Sequence, residues 1–122
     1  MPVRIKTKTR YQDTITPPDL NVETTIVDLK DQSDDYIVEG YISLRNMQSG
    51  DAVILRTYMA IDGINYDKVD EASFSGPQSI QVIRIPATIV PYNGKFKFTI
   101  TQTAGSLKNF PYAVIVQIME VL

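Results

Sequence analysis

The chain contains no histidine, no cysteine and no tryptophan. Histidine is the side chain whose ordinary pKa lies nearest neutrality, and cysteine supplies the thiolate nucleophile and the soft metal ligand. Their absence removes the commonest general base, cysteine nucleophiles, internal disulfides and zinc sites, so an enzyme is not expected. No cofactor is expected either: Gly63, Gly76, Gly94 and Gly105 stand singly in turns, and no glycine-rich loop opens a helix as a P-loop or dinucleotide fingerprint would. Long apolar runs are missing as well. No stretch approaches the roughly 18 apolar residues of a membrane span, and residues 1–10 carry charge where a signal peptide has its apolar segment. The expectation is a soluble chain, unexported by that route.

Acid is absent from residues 1–10, which hold Arg4, Lys6, Lys8 and Arg10. The net charge of the chain is −2, so beyond this segment eight basic side chains face fourteen acidic ones, a balance of −6. An acidic body with a basic arm does not suit a general binder of nucleic acid or anionic membrane.

What the chain does have is alternation. Period two recurs almost throughout and a helical period does not, and a chain of 122 residues fits one domain. Residues 1–10 alternate mildly apolar with cationic side chains. They precede Pro17-Pro18, which withdraws two backbone donors and stiffens a connector. This divides the chain into a basic arm with its connector, 1–21, and a compact domain, 22–122.

Within the domain, residues 36–45 place Tyr36, Val38, Gly40, Ile42 and Leu44 on one face, expected to be core. Residues 52–61 are apolar on both faces and are expected to be central, ending at the hairpin signal Asp62-Gly63. Residues 80–85 read as a short strand, with Pro86 and Pro91 bracketing 87–90. Residues 95–103 put Phe96, Phe98 and Ile100 inward, leaving Lys95, Lys97, Thr99 and Thr101 for solvent or a partner. Residues 112–122 form a strongly apolar last strand, with Val114, Val116 and Ile118 inward. Seven or eight such strands with regular turn signals predict an all-β fold, an antiparallel β-sandwich or its single jelly-roll form, with an extended N-terminal arm.

Three constellations could carry function. The acidic runs Asp31, Asp34, Asp35 and Asp62, Asn65, Asp67, Asp70, Glu71 offer oxygen ligands, but neither has the spacing of a calcium loop, and Asp and Asn favour turns in their own right. No metal is expected. Seven tyrosines beside Asp and Asn could stack on carbohydrate, although Tyr is common in strands anyway. The basic arm is the sharpest feature. Arg4, Lys6, Lys8 and Arg10 could make inter-subunit contacts by adding a strand to a neighbour, or the arm could be the edge strand of its own sheet.

The runs SGDAVILRTYMAIDGINYDK, FSGPQSIQVIRIP and KFTITQTAGSLKNFPY, which cover most of residues 49–112, resemble a pattern seen in short β-rich proteins of prokaryotic viruses. The resemblance is to small β-sandwich or jelly-roll virion structural proteins such as capsid, decoration and turret components. It implies a virion location, no catalytic motif, and assembly as a homo-oligomer or with other capsid proteins. The alternative is a carbohydrate- or cell-surface-binding module.

Overall fold

The computed structural model describes residues 2–121. Eight strands follow one another along the chain: β1 (Val3–Ile15), β2 (Thr24–Leu29), β3 (Tyr36–Ser43), β4 (Ala52–Ala60), β5 (Asp67–Ser75), β6 (Val82–Val90), β7 (Lys95–Ala104) and β8 (Phe110–Val121). They form two antiparallel sheets with strand orders β1-β8-β3-β6 and β2-β7-β4-β5. Among these strands only β4 and β5 are joined within a sheet; every other connection crosses to the opposite one. That interleaving is a jelly roll, which keeps all pairing antiparallel while wrapping one chain around one core.

The core follows from the side chains that period two turns inward. Tyr36, Val38, Ile42 and Leu44 are buried from β3 and its end, Phe96, Phe98 and Ile100 from β7, Val53 and Leu55 from β4, and Val114 and Val116 from β8, with Ile118 packed against their edge. Gly40 continues the inward row of β3. A Cβ there would lie 3.0 Å from the Ile85 side chain and 3.1 Å from that of Val114, so the missing side chain lets its two lateral neighbours close over the strand. β4 is an inner strand of its sheet, as its two apolar faces predict.

The structure departs from the sequence expectation at three places. First, Pro86 does not end a strand: β6 runs through it. Val38 faces Thr88 while Gly40 faces Ile85, so Glu39 opposes both Pro86 and Ala87 in a bulge. On an edge strand such as β6 a bulged proline costs the ladder no donor it needs. Second, Thr99 and Thr101 on the outward side of β7 are buried, covered by side chains of the neighbouring strands. Third, the alternation of the first segment is broken. Ile5 faces Met119 and Thr7 faces Ile118, so Lys6 is an inserted residue and the cationic row changes face there.

The same segment is hydrogen-bonded into the sandwich. β1 pairs with β8 at twelve positions, from Val3 opposite Val121 to Ile15 opposite Phe110. Residues 3–15 of the segment set apart by sequence are therefore a strand of the sandwich, and the ladder ends before the connector. Pro17 of the connector is buried.

Phe98 is 2% exposed at the centre of β7. Phe98→Ala should cost about 3–5 kcal/mol through lost burial and the cavity left behind. Chemical denaturation of both chains measures it, and an unchanged midpoint would place the ring outside the core.

Candidate functional site

Directly opposed residues of antiparallel strands share a face, so the register assigns every outward side chain. On the β1-β8-β3-β6 sheet one outer row reads Lys8, Gln117, Ile37, Ile89, and the next contains Arg10, Ile115 and Glu39. A third reads Gln12, Ala113, Tyr41, Arg84. Because Lys6 is inserted, Ile5 falls on this face too, whereas Arg4 turns to the other side and binds Glu120 at 2.8 Å. Among the described residues, Lys6, Lys8, Arg10 and Arg84 form no ion pair. This face carries exposed apolar side chains, with Ile89 at 65% and Val82 at 52%, interspersed with unpaired cations.

The outer face of the β2-β7-β4-β5 sheet is built differently. The Arg56 guanidinium donates to Glu71 at 2.6 Å and to the Thr101 hydroxyl at 3.2 Å, and lies 3.9 Å from Glu23. Glu23 accepts from the hydroxyls of Tyr58 and Thr99, Asp28 accepts from Tyr66, and Lys68 reaches Glu71 at 3.0 Å. The Lys97 ammonium sits over the rings of Tyr58 and Tyr66, 5.1 and 4.7 Å from their centres. Burial opposes the charge on Glu23, yet the Tyr58 and Thr99 hydroxyls and the Arg56 guanidinium hold its carboxyl below the usual range. Asp28 is lowered in the same way, against burial, by Tyr66 and Lys30, while burial and the bond to Asp28 push the Tyr66 hydroxyl up to about 12. The charged groups Arg56, Glu23, Asp28, Lys68 and Glu71 here already have partners on the same face.

The two ends of the sandwich also differ. At one end Asp51, 3% exposed, accepts from the Gln48 amide at 2.8 Å and from Lys108 at 3.2 Å, and its carbonyl accepts from the Gly76 amide. Gly105, at φ 85°, passes so close that a Cβ would collide with the Asp51 side chain, so glycine is required on both counts. Gln102, fully buried, bridges the Ala104 and Ser106 carbonyls and the Lys108 amide.

The opposite end gathers the loops 30–35, 61–66 and 91–94. Asp35 accepts from the Tyr92 amide at 2.6 Å, and Asp62 accepts from the Ile64 and Asn65 amides at 2.8 Å each. Several carboxylates of the two acidic runs thus serve as turn acceptors. Among the described residues, no group of three or more acids is placed to hold a metal ion.

Between the free edges β5 and β6 the sheets leave a cavity of about 280 Å³. Phe96, Phe98 and Leu55 floor it, and Asp70, Glu71 and Arg84 stand at its rim. Its lining is mainly apolar and offers neither thiol nor imidazole.

The geometry brings the four cations singled out by sequence onto one edge strand, but splits them between two faces. Arg84 and the apolar residues beside it were not singled out. Ile37 and Tyr41 were visible as the second face of the 36–45 alternation, whereas the partner row on β6 was hidden by the break assigned at Pro86.

No protein-family model matches the chain, and no curated protein matches it. Solved structures do. The VP2 subviral particle of infectious bursal disease virus superimposes on 95% of this chain at 15% identity with a TM-score of 0.51. The protein of infectious bursal virus derived T=1 particles covers 95% of it at 17% identity with a TM-score of 0.50. The chain spans about one third of those proteins' length, 33% and 32% respectively. The likeness is one of fold, and the neighbours come from a virus of eukaryotes where the sequence pattern had suggested one of prokaryotes.

The lowered carboxylates set the acid limit of the fold. For Asp51, burial opposes the charge but the Gln48 amide and the Lys108 ammonium outweigh it. Glu71 is lowered by Arg56 and Lys68, and Asp62 by the Asn65 and Ile64 amides. A group with a depressed folded pKa contributes stability that is full above its unfolded value and is lost as pH falls through the folded one. The melting temperature should therefore begin to fall as pH drops below the ordinary values of 4.5 for Glu and 3.8 for Asp, and keep falling beneath them. Asp51→Asn should lower the melting temperature at pH 7 and make the acid slope shallower. A parallel slope in that variant would show that Asp51 does not contribute to it.

Proposed function

We propose that the chain is a structural, assembly-forming virion protein, a capsid, decoration or turret component that works by burying surface against copies of itself or other capsid proteins. The observation that supports this most directly is the jelly-roll strand order over almost the whole chain, matched by proteins of virus particles. The side chains fit the reading. The polar groups of one sheet face are consumed internally, the opposite face is half apolar with unpaired cations, and β1 lies at a sheet edge. On this reading Arg4, Lys6, Lys8 and Arg10 make inter-subunit contacts from β1, through side chains and not by leaving the sheet. The assignment to a prokaryotic virus rests on the phrasing of residues 49–112 alone.

The second reading, a carbohydrate- or cell-surface-binding module, draws on Tyr41 and Tyr92, whose rings remain exposed, whereas Tyr58 and Tyr66 are covered by Lys97. A monomer that binds a glycan array would favour it.

Sedimentation of the intact protein tests the first reading. A large, concentration-dependent assembly is expected, and a monomer at every concentration would overturn it. Replacing Arg4, Lys6, Lys8 and Arg10 together by Gln should leave the melting curve nearly unchanged and weaken assembly. Added salt should weaken the parent in the same direction, because exposed charges are screened within about 8 Å at physiological ionic strength. Assembly indifferent to both changes would remove the four cations from the contact.

A further inference from the structure

The acidic loop end of the sandwich is the complement of the cationic sheet face. Loops 30–35 and 61–66 and the residues that close them supply Asp31, Asp34, Asp35, Asp62 and Asp67, against Lys30 and Lys95. Lys30 is already engaged by Asp28 at 3.1 Å. In the midst of these carboxylates Ile64 is 79% exposed, Ile61 68% and Tyr92 58%. The outer face of the β1-β8-β3-β6 sheet has the same build with the opposite sign: Lys8 and Arg10 on the edge strand β1 and Arg84 on the edge strand β6 flank Ile115, Ile37 and Tyr41 on the strands between, with Glu39 among them and Ile89 and Val82 exposed beside Arg84. Apolar centres with charged surroundings are the usual anatomy of a protein interface.

We propose that this sheet face docks on the acidic loop end of a second copy of the chain, head to tail. The inference rests on the assembly reading and specifies its contact. Three observations select this pairing. On the other sheet's outer face Arg56, Glu23, Glu71 and Lys68 are spent on their own ion pairs, and Lys97 lies over the rings of Tyr58 and Tyr66. Two copies placed sheet face to sheet face would set Lys8, Arg10 and Arg84 against the same three cations, and like charges across an interface are strongly unfavourable. Loop end against loop end would do the same with carboxylates. Only the unlike pair satisfies the apolar centre and the charges together. Because the two patches differ, a bound pair still presents one free patch of each kind, one on each copy, so the contact propagates into a closed ring or an open filament.

Charge reversal in two variants tests the proposal. K8E/R10E inverts the sheet face, and D31K/D67K inverts the loop end while sparing Asp34, Asp35 and Asp62, whose carboxylates hold backbone amides. All four positions are exposed, so both variants should melt close to the parent. Each variant alone should lose assembly and sediment as a monomer, and an equimolar mixture should regain it, since each then supplies the patch the other needs. A mixture no more associated than its components, or a K8E/R10E chain that assembles like the parent, overturns the proposal while leaving the assembly reading in place. A parent that is monomeric throughout overturns both.

Discussion

One side of every inner strand has to be dry against the opposite sheet, and the rest of the molecule is arranged around that requirement. Phe96, Phe98 and Ile100 from one sheet and Val38, Ile42, Val114 and Val116 from the other fill the space between them. In a strand the inward side is reached only at every second residue, so each pairing register is tied to which side chains stay dry. Two of the inserted residues lie where this requirement relaxes. One is Lys6, beyond the last strongly buried pair of the first ladder, and another is the Pro86-Ala87 bulge on the edge strand β6. In each case the insertion changes what the outer surface displays.

That coupling explains how much was legible in the sequence. The inward rows of β3 and β7 could be read directly, because Tyr36 to Leu44 and Phe96 to Ile100 alternate without interruption and the burial follows the alternation. Strands carrying an inserted residue could not, since a bulge looks like a break or like continued alternation until the partner strand is known. Outward rows were harder still. Thr99 and Thr101 look like solvent positions by pattern, and become buried where Arg56 and Tyr58 of β4 and Glu23 of the connector before β2 arrive from far along the chain. The four basic residues of the N-terminal segment were conspicuous, but their distribution over two faces depends on a ladder with the far end of the chain.

The two outer faces of the sandwich contrast in chemistry. On one, Arg56 alone joins Glu71, Glu23 and Thr101, and Lys97 caps two rings. Such a surface has little to gain from a partner, because any approaching group must displace a bond already made. On the other face, among the described residues, Lys8, Arg10 and Arg84 form no ion pair, and Ile89 and Val82 stand exposed. The ends contrast too. The Asp51, Gly105 and Lys108 contact and the Gln102 bridge lock one set of loops together, whereas the acidic set meets through the Asp35 to Tyr92 bond and the close passage of Gly63 by Asn93.

The ladder between β1 and β8 sets the first and last strands side by side, with Val3 opposite Val121. Their outer extremities lie within one residue pair of each other, at a single corner of the sandwich. A fold with this arrangement can be spliced into the loop of a larger protein by joining both ends to neighbouring points of the host, with no stretching of either body. It also means that tension applied between the two ends would open the ladder one pair at a time, like a zip, and leave the apolar interior as the last part to yield.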